Sequence, residues 1–255
     1  MRQYEGHIDN GTRVIESARS DAERAAGYNE RARGSGEKAR YSRILKLVSP
    51  DEYRRLFDLA VKDHNEAVRL DPGNAEMYLS RGQTYHQRAA AAWEDKLDPK
   101  AKTRECFDLA KADFTRAIER DGHNQMAFDM RGMINEHNGD YQQAIDDYMT
   151  VMKSDPRLGK GRLAGLYCNR GGVWQGEKKF ELAASDYEKS IELLESGAAA
   201  DDCDCDPYAP LAGTYCDGLK QYDKSWQIVH KAAAHRRWMP QEFVEHLKKV
   251  SGKDR

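Results

Sequence analysis

No stretch of this chain approaches the roughly 18 uninterrupted apolar residues of a membrane-spanning helix, and the opening MRQYEGHIDN holds no apolar run of a leader peptide. Proline is scarce, at 7 residues, and runs of Val, Ile and Thr are few, which argues against a mainly β fold. Net charge is nearly absent: 41 Lys and Arg against 43 Asp and Glu leave −2, too weak a field to hold a nucleic-acid backbone or an anionic membrane. A Gly-rich phosphate loop, a nucleophile elbow and a His/Glu metal motif are all missing, so the chain reads as a non-enzyme needing no cofactor. Its five cysteines, odd in number and irregular in spacing, point to a reducing compartment rather than a disulfide framework. The expected location is the cytoplasm, with a removed signal peptide left open.

What is present suits a particular architecture. A hydrophobic content of 39% across 255 residues is enough to bury a core. A charged content of 33% and a mean hydropathy of −0.90 suit an elongated protein whose helices each bury one stripe. Charge is unevenly spread. Between Lys189 and Lys220 all charges are acidic, whereas from Lys220 onward nine Lys and Arg face four Asp and Glu.

Three stretches repeat a pattern: Tyr78, Arg81, Gly82, Tyr85; then Phe128, Arg131, Gly132, Asn135; then Tyr167, Arg170, Gly171, Trp174. Each puts an aromatic, an Arg-Gly pair and a further large residue on one helix face. Each is followed by a small, aromatic, small stripe: Ala110, Phe114, Ala117; Ala144, Tyr148, Val151; Ala183, Tyr187, Ser190. That spacing fits a second, antiparallel helix. Asp71-Pro72 and Asp155-Pro156 then turn the chain into the next unit.

This pattern resembles the tetratricopeptide repeat, a 34-residue helix-turn-helix unit, and the span from Gln125 to Leu158 matches it in length as well as in motif. The resemblance implies an all-α fold: a right-handed α-solenoid of about five antiparallel helix pairs with terminal capping helices. The expected division is 1–24 as an N-terminal helix (cap or half repeat), 25–74 and 75–124 as extended units, 125–158 and 159–200 as ordinary ones, 201–239 as an acidic loop and fifth unit, and 240–255 as a capping helix and tail.

The tetrapeptide FDLA occurs at 57–60 and again at 107–110. In both units the helix A small residue (Ala32, Gly82) lies 28 positions before the helix B alanine (Ala60, Ala110), against 12 from Gly132 to Ala144. Both therefore carry the same 16-residue insertion, about two extra turns per helix. Ser49-Pro50 and Asp98-Pro99 read as a cap followed by proline at the first helical position. The lengthened helices are expected to form a ridge, helical at 38–48 and 88–97.

Arg31, Arg81, Arg131 and Arg170 precede the helix A small residues, and Asp63, Asp113, Asp147 and Asp186 follow the helix B alanines by three. At the matching places in the fifth unit stand Ala212 and Ile228, so both charges vanish together. The simplest reading is an Arg to Asp pair within each unit, since losing one partner alone strands a charge.

The resemblance also implies a groove lined by helix A, where peptides of a partner protein bind. Helix A residues off the packing stripe are Asn29, Arg33, Glu76, Leu79, Gln83, His86, Met126, Asp129, Met133, His137, Cys168 and Gln175. The methionines can repack around an apolar side chain. Asn169 stands where some members grip a C-terminal carboxylate, but Leu79, Asp129 and Met133 supply no cation for that task. The expected function is a non-enzymatic protein-binding module; the alternative is a scaffold that self-associates or contacts partners through the ridge, so a homo-oligomer stays open. Nucleic acid is a disfavoured partner. In the 201–206 loop, Asp202, Asp204 and Asp206 alternate as in a calcium loop, but the next residue is Pro207 and no glutamate closes it. Cys203 and Cys205 could hold a soft metal with Cys216, but they lack the Cys-x2-Cys spacing of a zinc site and a nearby histidine, so a solvated acidic loop is the expectation, with a metal site or a redox-labile disulfide as the alternatives, and no metal is assigned.

Overall fold

The computed structural model describes residues 2–95, 100–154, 159–197 and 205–253, and among these every regular element is a helix. Asp98-Pro99, Asp155-Pro156 and Asp202, Cys203 and Asp204 lie outside the described residues. The chain forms two compact units, residues 1–134 and 135–255.

The first unit holds α1 (Arg2–Ser17), α2 (Asp21–Ile44), α3 (Pro50–Leu70), α4 (Ala75–Asp95), α5 (Lys100–Arg120) and the larger part of α6 (Gln125–Asn138). α2 packs on α1, α3 and α4, and α4 packs in turn on α3 and α5, so successive hairpins stack. The insertion is helical: α3, α4 and α5 run 21 residues each against 14 for α6, a difference of about two turns. α2 ends at Ile44, short of the expected residue 48, because Lys46 turns left-handed (φ 54°) and the Leu47 amide closes back on the Ser42 carbonyl. Ser49 then caps α3, its side chain accepting from the Glu52 amide, with Pro50 at the first turn where a missing N–H costs nothing.

Why glycine follows arginine in the second and fourth repeats is visible at Gly82. A Cβ there would meet the Phe114 ring at 2.8 Å, and one at Gly171 would meet Tyr187 at 2.9 Å. The aromatic of helix B sits where helix A has no side chain. Around these contacts lie the cores: Tyr78, Leu79, Phe114 and Ile134 in one cluster, Ala39, Tyr53, Phe57 and Ala91 in another.

The second unit contains α7 (Tyr141–Ser154), α8 (Lys160–Gly176), α9 (Phe180–Glu195), α10 (Tyr208–Gly213), a π-helix (Thr214–Gly218), α11 (Tyr222–Ala234) and α12 (Gln241–Ser251). Helix B serines tie the pairs together: Ser190 donates to the Ala164 carbonyl at 2.7 Å and Ser225 to the Ala212 carbonyl at 2.8 Å. α12 buries Leu247 against Ala212, Cys216, Trp226 and Val229, with Phe243 and Val244 packed alongside.

The reading of the cysteines needs correction. A disulfide joins Cys168 on α8 to Cys205 just before α10. Cys168 is therefore buried and bonded, not a groove residue, and Cys205 is withdrawn as a metal ligand. Closing a loop of 37 residues stabilises by about 4 kcal/mol on chain-entropy grounds. Thiol titration of the denatured chain is expected to count two fewer groups before reduction than after it; equal counts would mean that the bond does not form.

Candidate protein-binding groove

Ion pairs hold helix A to helix B in the first, second and fourth repeats. Arg31 grips Asp63 through two hydrogen bonds of 2.7 and 2.8 Å, Arg81 grips Asp113 at 2.7 Å twice, and Arg170 grips Asp186 at 2.7 and 2.8 Å. Asp113 and Asp186 are buried. For Arg81, burial works against the charge, but the Asp113 hydrogen bonds and charge prevail and raise its pKa. Each forked guanidinium also lies near its aromatic neighbour, Tyr28, Tyr78 or Tyr167. In the third repeat Arg131 donates to Thr115, while Asp147 accepts from Asn135; their direct pairing stays a proposal.

With the arginines committed to this clamp, the rest of helix A is free to line a cavity. Between α2, α4 and α6, within residues 1–134, lies a groove of about 520 Å³ lined by Arg40, Arg43, Ile44, Gln83, His86, Gln87, Ala90, Ala91, Glu94, Met130 and Met133. Arg43 bonds Glu94 at 2.8 Å. The His86 ring stands edge-on to Phe107, with centroids 5.7 Å apart. A second hollow of about 580 Å³ shares Arg43, Ile44 and Glu94 and reaches Lys46, Val48, Pro50 and Tyr53.

Of the expected groove residues, Gln83, His86 and Met133 meet on this wall. Exposed Met126 sits beside it, receiving the Gln83 amide on its sulfur at 2.9 Å. Arg33 and Glu76 are exposed and 4.0 Å apart, and Asp129 is half-buried. Asn29 is buried, with an Oδ1 that finds no donor. Leu79 is not a groove residue: it is 6% exposed and belongs to the core around Phe114, because α4 has neighbours on several sides and buries a wider arc than one stripe. In the second unit His137 is exposed, and Gln175 accepts from the Tyr187 hydroxyl at 2.9 Å. The sequence reading missed Arg40, Arg43, Ile44, Gln87, Ala90, Glu94 and Met130. All but Gln87 and Met130 lie on the lengthened parts of α2 and α4, and continuing the helical period past His86 finds Ala90 and Glu94.

Two other places hold unusual side chains. His64, fully buried on α3, shares a 3.0 Å hydrogen bond with Thr84 and leaves Nδ1 without a partner. Burial, then the charges of Arg81 and Arg33, pull its pKa down to about 3. Asp206 accepts from the Tyr208 amide at 3.1 Å, a turn contact at the start of α10.

These features define an all-α stack of helix hairpins. Residues 127–158 match the family model for the tetratricopeptide repeat, so the chain contains a repeat of that kind. No curated protein matches the chain in sequence. Among solved structures, MamA is similar at 18% identity and a TM-score of 0.43, over 84% of this chain and 99% of that one. A thermophilic tetratricopeptide protein of Thermus thermophilus, TTC0263, is similar at 13% identity and a TM-score of 0.44, over 84% and 91%. BtubC from P. vanneervenii is similar at 16% identity and a TM-score of 0.43, over 93% and 94%. No helix among the described residues is long and apolar enough to cross a membrane.

Proposed function

We propose that the chain is a non-enzymatic protein-binding module that takes a peptide segment of a partner protein in the groove between α2, α4 and α6. The observation that carries this reading is the composition of that wall. Ile44, Met130 and Met133 offer adaptable apolar contact, while Gln83 and Gln87 offer amides that suit a peptide backbone. A hollow of about 520 Å³ is in the range that accommodates a few side chains.

The test uses peptides selected from a random-sequence library against the whole chain. Met133→Asp is expected to weaken their binding by roughly tenfold or more, about 1.4 kcal/mol, with the melting temperature unchanged because Met133 is half-buried at the wall rather than in the core. A second reading, contact through the ridge, is favoured by one observation: Ile44, Leu45, Leu47 and Trp93 are 56, 62, 54 and 53% exposed at the far ends of α2 and α4. Binding lost with Trp93→Asp but kept with Met133→Asp would move the assignment from the groove to the ridge.

A further inference from the structure

We propose that Cys216, Asp217 and His246 form a binding site for one divalent transition-metal cation of the zinc class, tying α12 to the π-helix. The sequence offers no sign of it, because His246 lies 29 residues beyond Asp217. The fold supplies what the sequence does not. Docking of Leu247 beneath α11 brings the preceding residue, His246, over the π-helix, and its Nε2 comes to 2.9 Å from Asp217 Oδ1. The Cys216 sulfur lies 3.5 Å from the same oxygen, and all three ligand atoms fall within 4.8 Å of one another.

Two of the three separations are close to those a cation demands, and the third, sulfur to imidazole nitrogen, lies within 4.8 Å and closes to about 3.5 Å on binding. With zinc to sulfur near 2.3 Å and zinc to oxygen or nitrogen near 2.0 Å, a tetrahedral centre needs sulfur and oxygen about 3.5 Å apart and oxygen and nitrogen about 3.3 Å apart. The first is already met. The second requires His246 to withdraw by about 0.4 Å, and its side chain is exposed enough to do so. The wider turn of a π-helix is a frequent companion of functional sites. Here it carries two consecutive ligand residues, Cys216 and Asp217, whose ligand atoms approach to 3.5 Å.

Thiolate, carboxylate and imidazole together suit zinc or cobalt better than calcium or magnesium, which prefer oxygen alone. On binding, the Cys216 proton passes to solvent, the sulfur, Asp217 oxygen and His246 Nε2 each donate a lone pair, and water completes the fourth position. Cys216 is buried while Asp217 and His246 reach solvent, so entry is from the outer side. The cluster is separate from the groove between α2, α4 and α6.

Cobalt(II) is the probe, added to the full chain in buffer without reductant so that the Cys168–Cys205 disulfide stays closed. The expected result is one cobalt bound, with a sulfur-to-metal charge-transfer band and the intense visible bands of a tetrahedral centre. His246→Ala is expected to weaken binding at least tenfold, and Cys216→Ser to abolish the charge-transfer band; far-UV circular dichroism verifies that both variants keep their helices. Zinc in slight excess is expected to displace the cobalt and raise the melting temperature of wild type but not of His246→Ala. Absence of the band in wild type, or a band that survives Cys216→Ser, would overturn the assignment and leave Asp217 and His246 as an ordinary surface pair.

Discussion

Asp113→Ala is expected to cost about 3 to 5 kcal/mol of stability. Asp113 is buried on α5 and receives both arms of the Arg81 fork at 2.7 Å. Removing it does not simply delete two hydrogen bonds; it leaves a guanidinium, itself 13% exposed, without its counter-ion in a low-dielectric place. The Asn65 side-chain oxygen, 2.9 Å from Arg81, still accepts from that guanidinium, but it carries no charge. The double replacement Arg81→Met, Asp113→Leu is therefore expected to be more stable than Asp113→Ala alone, since no charge is stranded. Asp63→Ala should cost less than Asp113→Ala, because Arg31 and Asp63 are wetter, at 29 and 12% exposed. Urea unfolding of the four proteins measures all of this. A double variant no more stable than Asp113→Ala would mean that the loss is one of packing, not of charge.

Acid should act on a single buried histidine. His64 titrates at about 3 in the folded chain against an ordinary 6.5. Below pH 6.5 the unfolded chain takes up a proton that the folded chain refuses, so the folded state loses ground as pH falls, and regains it as pH rises. The loss runs at up to about 1.4 kcal/mol per pH unit and totals about 4 kcal/mol between pH 6.5 and 3. Burial is the main cause, and the neighbouring Arg81 and Arg33 add to it. Glutamine at this position keeps a hydrogen-bonding group near Thr84 without a titrating one. Between pH 6.5 and 4.5 wild type is expected to lose about 2 kcal/mol more than His64→Gln. Parallel stability profiles for the two proteins would contradict a neutral, buried His64.

What the sequence made legible follows from periodicity. The 16-residue surplus between Gly82 and Ala110 translates into helices of 21 residues because hydrophobic spacing continues through it. The Arg31, Arg81 and Arg170 pairings were readable because charge disappears from both positions at once in the last repeat. What stayed hidden depends on neighbours that periodicity does not name. Leu79 lies off the repeat's packing stripe, yet it is buried because α4 is flanked by several helices. Cys168 and Cys205 are 37 residues apart, and nothing local marks them as partners. Cys216, Asp217 and His246 meet only after a π-helical turn and the docking of α12, neither of which follows from a 3.6-residue period.

The groove was partly legible for the same reason. Gln83, His86 and Met133 occupy ordinary helix A positions of the repeat, whereas Arg40, Arg43, Ile44 and Glu94 belong to the inserted turns that the repeat itself does not contain. The insertion thus adds to the wall as well as to the ridge. Its contribution makes the wall different in chemistry from that of an ordinary repeat: apolar at Ile44, charged at Arg40 and Glu94.

Residue-resolved mapping of a library-selected peptide on the whole chain tests the central claim most directly. Amide and methyl chemical-shift changes are expected to concentrate at Ile44, Gln83, His86, Met130 and Met133, and to vanish in Met133→Asp at the same peptide concentration. Changes confined to Leu45, Leu47 and Trp93, or to residues 135–255, would contradict the groove as the binding surface.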